Sequence, residues 1–487
     1  MTRLQPITEQ PPRAAVDLLR WPVIGRFLRW KHARTTLQLF ALLAAAAIVL
    51  HGLFGPQVAP RNLATVLTWV HYRGLLVVAL LAAGNLFCTG CPFVLVRDVA
   101  RRGHAPGWRW PRWLRTKWIG LALFAGVLFA YELFDLWSLP RATAWLVLGY
   151  FGAALAIDLV FQGAAFCKYL CPIGQFNFAA STLSPLEVTV KNRNVCGACR
   201  TSDCIKGRRA ADMPAVVSQR GCELGLFLPS KVGNLDCTFC LDCVQACPHD
   251  NVAIAARLPG AELVEGSRRS GIGRLATRPD IAALAVLFAF GGLLNALAMT
   301  GPVYDLERWL ARTLSVTSEW PVLALLFIAS LVVIPALALS AASTATRLLT
   351  GAGSVRTGIV RYAAALVPFG FGVWLAHYGF HLLTGVLTIV PVVQSAAIDA
   401  LGWPALGDPL WRLAGMRPGA VFPIQLGFLV LGTMGTIAVA YGISEREHPA
   451  RPGAATVPWA IVVVAMAAAA IWILGQPMEM RAVELSG

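Results

Sequence analysis

Eight of the twelve cysteines fall between residues 196 and 247. Four of these, Cys237, Cys240, Cys243 and Cys247, the last followed by Pro248, have the spacing C-x2-C-x2-C-x3-C-P. Bacterial proteins hold 4Fe-4S clusters with this run: three closely spaced thiolates wrap one corner of a cubane, and the fourth sulfur, turned by the proline, points at a neighbouring cluster. One run therefore implies a second, and Cys196, Cys199 and Cys204 lie just upstream, with Cys222 further on. Crossed ligation assigns one cluster to Cys196, Cys199, Cys204 and Cys247, and the other to Cys237, Cys240, Cys243 and Cys222. Zinc is the alternative, since paired C-x2-C knuckles also make tetrahedral sulfur sites, but zinc ribbons do not call for the C-x2-C-x2-C-x3-C-P run.

The other four cysteines form a duplicated motif. Phe87-Cys88-Thr89-Gly90-Cys91-Pro92 and Phe166-Cys167-Lys168-Tyr169-Leu170-Cys171-Pro172 are both Phe-Cys, a short spacer, then Cys-Pro. Arg97, Arg101, Arg102 and Lys168 flank them, and cationic neighbours favour thiolate over thiol. Cys88, Cys91, Cys167 and Cys171 are expected to hold a third cluster, a pair of redox disulfides or a labile metal.

The elements that must position these residues are membrane helices. Of 487 residues, 57% are hydrophobic and 14% charged, and the mean hydropathy is +0.64, a balance that excludes a water-soluble globular domain. Charge-poor stretches predict nine spans, near 36–54, 72–92, 118–138, 143–166, 281–300, 320–341, 362–390, 421–443 and 457–475, each close to the roughly 20 residues a bilayer requires. The seventh is the least regular, since no Asp, Glu, Lys or Arg lies between Arg361 and Asp399; it reads as one helix plus an interfacial piece, or as a hairpin.

The net charge of +16 is not a nucleic-acid signal, because of how it is distributed. With the N-terminus in the cytoplasm, 33 of the 41 Lys and Arg face that side, the positive-inside asymmetry, which holds even without the long cysteine segment. The cysteine segment is then cytoplasmic, where thiols stay reduced. The expected fold is a polytopic α-helical membrane protein of about nine spans with an inserted cytoplasmic two-cluster ferredoxin-like domain, in a bacterial inner membrane. Its parts are a basic N-terminal interfacial segment (1–35), a four-span domain with the duplicated motif (36–187), the ferredoxin-like domain (188–256), a basic linker read as a solvated tether (257–280) and a C-terminal domain of about five spans (281–487). The first span is expected to be retained, because no A-x-A cleavage site follows Leu50.

Over about residues 36 to 256, the four spans, the two Cys-Pro motifs at the inner ends of spans two and four and the two-cluster cysteine run resemble the NapH/NosR/CcoG-type membrane polyferredoxins. The resemblance implies electron transfer at the membrane, from quinol or toward a periplasmic partner. It carries the family's motif cysteines onto Cys88, Cys91, Cys167 and Cys171 and its cluster ligands onto the eight cysteines above. This chain departs from the family in its two-residue spacer at Thr89-Gly90, where three residues are usual. It is also expected to lack the extracytoplasmic flavin domain of the NosR type and the soluble C-terminal domain of the CcoG type.

Histidines are the remaining candidates. His32, His104, His249 and His448 read as ordinary cytoplasmic-side polar positions. His51 and His71 are placed at the outer boundary of spans one and two, and His377 and His381 lie four apart on one face of span seven. The four either ligate a b-type haem or, with Glu132 and Asp135, form a quinone site; ionisable groups within spans are functional candidates. Asp158, in span four, is expected to face a cavity near the motif cysteines, and Asn295 to bond between helices. No Walker or nicotinamide-binding sequence occurs.

These residues predict an electron-transfer protein working between a cytoplasmic donor or the quinone pool and a periplasmic redox acceptor, in the manner of a quinol dehydrogenase subunit. Lys191, Arg193, Arg200, Lys206, Arg208 and Arg209 would dock an acidic ferredoxin or flavodoxin. Membrane reductase subunits are the other candidate partners. The alternative is a maturation factor whose four membrane thiols reduce or deliver a metal such as copper.

Overall fold

The computed structural model describes residues 16–103, 106–209 and 217–478. Its long and boundary helices are α1 (Ala33–Phe54), α2 (Leu63–Ala83), α3 (Pro92–Ala100), α4 (Trp118–Leu133), α5 (Pro140–Val160), α6 (Pro172–Ala180), α7 (Pro279–Leu297), α8 (Gly301–Thr313), α9 (Glu319–Thr350), α10 (Val355–Gly385), α11 (Ile389–Leu401), α12 (Pro418–Glu447) and α13 (Pro452–Leu474). Among the described residues eight are long and apolar enough to cross a membrane: α1, α2, α5, α7, α9, α10, α12 and α13. The chain is a helical, multi-pass membrane protein. The third predicted span, α4, has 16 residues; at about 1.5 Å per residue it is shorter than the roughly 30 Å hydrocarbon core. Four spans, α5, α7, α12 and α13, begin with proline in their first turn, where its fixed φ suits a helix and its missing N–H leaves no bond unmade.

Two predicted ends move. The second span was expected to run to residue 92 but ends at Gly84, whose φ of +66° closes the helix eight residues earlier. The fourth ends at Val160, ahead of Gly163 with φ +75°. α2 also begins at Leu63 rather than near residue 72, so His71 lies inside it rather than at its boundary. The charge-free seventh stretch is one helix, α10, followed by the separate short helix α11.

Two of the C-terminal helices form the centre and pack on the N-terminal helices rather than forming a second bundle. In α10 83%, and in α7 78%, of the apolar window is buried, which places these two helices at the centre. α10 packs on α2, α7 and α12. Trp374 of α10 meets Phe176 of α6 at 5.3 Å between ring centroids, and Phe176 meets Phe288 of α7 at 5.2 Å, so the second Cys-Pro helix is anchored directly to the centre.

Strands β1 (Leu186–Val190) and β2 (Val252–Ala256) pair antiparallel, Val188 opposite Ile254, and bring together the two ends of the cysteine-bearing segment. Within the N-terminal stretch expected to be interfacial, residues 17–29 pack on this segment. Asp17 accepts from the Ile254 N–H at 3.2 Å, Arg29 pairs with Asp250 at 2.7 Å, and Leu19 is buried in the same core. Trp21, Val23 and Trp30 remain exposed beside them.

The expected solvated tether at 257–280 is instead tied down. Arg257 pairs with Glu262 at 3.1 Å and donates to the Ser181 and Thr182 carbonyls, while the buried Arg269 donates to the Glu262 and Glu265 carbonyls. Basic composition pointed to solvent; Arg257 and Arg269 instead reach Glu262 and carbonyls of their own segment, and Arg257 also reaches the distant Ser181 and Thr182 carbonyls.

Candidate functional site: two adjoining cysteine-lined cavities

The Cys-Pro motif is duplicated in structure as well as in sequence. Each copy has a span, a positive-φ glycine, a first cysteine four residues later (Cys88, Cys167), a short helical turn, and a second cysteine (Cys91, Cys171) as N-cap of a nine-residue helix that opens with proline. The extra residue of the second spacer is absorbed locally. Leu86–Thr89 is an α turn, whereas Phe166–Leu170 is a π turn closed by the Cys171 N–H on the Phe166 carbonyl at 2.8 Å. The unequal spacers therefore give equivalent cap positions.

All four of these cysteines line one cavity of about 40 Å³, together with Arg34, Asp158, Glu223 and Thr238. The caps aim backbone donors at sulfur: Gly174 N–H reaches Cys171 Sγ at 3.2 Å, and the Phe93 and Val94 amides face Cys91. Asn177 Nδ2 donates to Cys88 Sγ at 3.4 Å. Arg97 favours the Cys91 and Cys167 thiolates, as expected, and Arg34 that of Cys91, but burial outweighs them. Burial pushes the Cys88, Cys91 and Cys167 thiols up and Cys171 up to about 12. Arg97 also pairs with Glu223, Asp98 and Asp158, while Arg101 and Lys168 donate to backbone carbonyls.

A second cavity, of about 20 Å³, is lined by Cys222, Cys237, Cys240 and Cys243, the four cysteines the sequence assigned together, and by Lys231. Asp236, Phe239 and Leu241 all have positive φ, 66°, 52° and 61°, a conformation that costs a non-glycine residue about 1 kcal/mol or more and clusters at functional sites. These turns wrap the chain so that its thiols face one space. Lys231 is 8% exposed, and its ammonium is held by the Val188 and Gly233 carbonyls, with no carboxylate within ion-pair distance among the described residues. A buried cation without a carboxylate suits an anionic occupant.

The remaining set also gathers. Asn251 donates from Nδ2 to Cys196 Sγ at 3.2 Å and from its backbone N–H to Cys247 Sγ at 3.4 Å, while the Cys222 N–H donates to the Cys204 carbonyl at 2.8 Å. Cys199 is the most open of the set, and backbone N–H donation from Ser202, with the Thr201 hydroxyl, lowers its thiol to about 7. Among the described residues no three His, Cys, Asp or Glu side chains are placed to hold a single metal ion. Thiolates sharing one zinc stand about 3.8 Å apart, given Zn–S near 2.3 Å; here each set of four thiols lines a cavity instead.

The two cavities adjoin. Thr238 lines both, Asn85 donates to the Cys237 carbonyl at 3.0 Å, and Thr89 donates to the Phe239 carbonyl at 2.6 Å. Glu223, next to Cys222, completes the junction by pairing with Arg97 at 2.8 Å, Arg34 at 3.4 Å and Arg220 at 3.6 Å. Burial alone would raise the Glu223 carboxyl, but the three guanidiniums hold it down at about 2.

The histidines separate into two classes. His51 accepts the Leu63 N–H on Nδ1 and pairs with Asp399 through Nε2 at 3.2 Å; His71 faces the Val66 and Val386 carbonyls with its two nitrogens. Neither has a ring nitrogen free for a cofactor. His377 is fully buried with both nitrogens unpartnered, as is Nε2 of His381, and the two rings stand edge-to-face at 5.0 Å. Two imidazoles on one helical face cannot take opposite axial positions on one haem. Arg73 lies close by, stacked on Trp69, Tyr131 and Tyr378, and Asn295 donates to Glu132 at 3.3 Å. His104 is outside the described residues.

Sequence reasoning missed Glu223, Lys231, Asn251, Asn177 and Asn85. For the asparagines a signal existed: amides in otherwise apolar surroundings beside the motif cysteines. Comparison with known families, curated proteins and solved structures finds no match to the chain.

Proposed function

We propose that this chain is a membrane-bound iron-sulfur electron-transfer protein of the polyferredoxin type, with two 4Fe-4S clusters on its cytoplasmic side. One observation carries the reading: the cavity lined by Cys222, Cys237, Cys240 and Cys243 shares a wall with a second thiol-lined cavity at the ends of the membrane helices. Four cysteines lining one cavity, a backbone N–H donor aimed at sulfur from Leu226 and a buried lysine suit a cluster of net negative charge. Cys196, Cys199, Cys204 and Cys247 would hold the partner cluster. When bound, the clusters supply one-electron chemistry, and the chain's own residues hold them close, exclude water and set their potentials.

The unpartnered imidazoles of His377 and His381 support a quinone-side role for the centre of the bundle, and the quinone pool is the proposed membrane partner. Lys206, Arg208 and Arg209, exposed beside the cluster segment, suit an acidic soluble donor.

Anaerobic purification in mild detergent, with iron, acid-labile sulfide and zinc quantified on one sample, tests the reading. Eight or more irons per chain with matching sulfide supports it, at about four irons per cluster. Iron-free or zinc-loaded protein overturns it.

A further inference from the structure

We infer that Cys88, Cys91, Cys167 and Cys171 are the ligands of a third 4Fe-4S cluster, seated where the membrane helices meet the cysteine segment. The inference rests on the proposed function and extends it by one redox centre.

Three observations choose a cluster over disulfides or a single metal ion. The four cysteines line a cavity of about 40 Å³, twice the about 20 Å³ of the cavity lined by Cys222, Cys237, Cys240 and Cys243. A disulfide needs no enclosed space, since its sulfurs bond directly at about 2.05 Å, and all four are free thiols here. A single ion needs converging ligands, which the described residues do not supply.

The duplication points the same way. Two hairpins with different spacers reach the same cap geometry, one of them through a π turn, so each delivers one sulfur from a helical turn and one from a helix N-cap. Two such pairs supply the four thiolates of a cubane. The N-cap amides of Phe93 and Val94 on one side and Gly174 on the other, with the Asn177 amide, supply N–H donors to the sulfurs. Such bonds tune a cluster's potential.

Thr238 then separates two clusters, so that an electron lost by the centre on Cys222, Cys237, Cys240 and Cys243 reduces the membrane-boundary centre by one electron, with no bond made or broken.

The test is iron and sulfide content with integrated electron paramagnetic resonance of the dithionite-reduced full-length protein. Wild type is expected to carry about twelve irons, and the C88S/C167S variant about eight, with one signal lost. Eight irons in wild type, unchanged in C88S/C167S, would overturn the third cluster and leave the two-cluster reading standing. An iron-free wild type would overturn both. Should C88S/C167S fail to fold, N177L serves in its place: twelve irons retained, with the midpoint of one signal alone displaced, supports the assignment. Twelve irons with all midpoints unmoved overturns it.

Discussion

Asn251 donates a side-chain hydrogen bond to the sulfur of Cys196, 55 residues away in sequence, at 3.2 Å. The same residue's backbone N–H reaches Cys247 Sγ, and its amide is locked in place by Asn192, which donates to Oδ1 at 2.9 Å and accepts from Nδ2. One residue, by its side chain and its backbone N–H, thus bridges the two ends of the set assigned to the more exposed cluster. Replacing Asn251 with Leu leaves the Asn192 groups without partners, at a cost of about 1–3 kcal/mol. The expected result is selective loss of about four irons to a chelator, several-fold faster than in wild type, with the other signals intact. Uniform loss from all centres would contradict the local role.

Glu223 is the anion at which three arginines meet. Its folded-state pKa of about 2 lies below an ordinary glutamate value of about 4.3, so its stabilising contribution is complete above about pH 4.3 and disappears as pH falls through 2. Glu223→Gln removes this charge at every pH and leaves Arg97, 1% exposed, short of one partner. A loss of about 3 kcal/mol is expected, seen as a lower midpoint of thermal unfolding in detergent at pH 7. The gap from wild type should close in acid, below pH 3. A gap that widened on acidification would show that Glu223 is not ionised in the folded protein.

The grouping of Cys222, Cys237, Cys240 and Cys243 was legible in the sequence from cysteine spacing, and the four line one cavity. The duplicated Cys-Pro motif was legible for a similar reason. The helix ends were not, because an apolar run hides a break made by one left-handed residue, although Gly84-Asn85 and Gly163 were the available turn signals. The Glu223 junction could not be read at all. Its partners Arg97 and Arg34 are 126 and 189 residues away, and no local pattern reports which buried charges will meet.

The two glycines that end the motif spans provide a matched comparison. A Cβ on Gly84 would lie 2.7 Å from Phe239 Cζ, whereas one on Gly163 would meet only the Glu223 carbonyl oxygen, at 3.1 Å. Both carry positive φ, so each alanine variant bears a backbone cost of about 1 kcal/mol. Gly84→Ala must also displace a buried ring in the cysteine loop, adding about 1–3 kcal/mol. The prediction is a clearly larger fall in unfolding temperature for Gly84→Ala than for Gly163→Ala, accompanied by reduced iron content. Equal effects would mean that Phe239 yields freely and does not register the loop on the membrane helices.

His377 is fully buried with no hydrogen-bond partner on either nitrogen, an arrangement that costs about 1–3 kcal/mol. Packing alone would be better served by an apolar side chain of similar size, so the imidazole is expected to be there for exchange with quinone. His377→Leu should therefore raise the unfolding temperature by a few degrees, leave iron content unchanged, and slow reduction of the clusters by a short-chain quinol at least tenfold. Reduction by dithionite, which bypasses the centre of the bundle, should be unaffected. A variant that gained stability and kept full quinol-dependent reduction would move the quinone site away from α10, and His381, whose Nε2 is likewise unpartnered, would lose its claim with it.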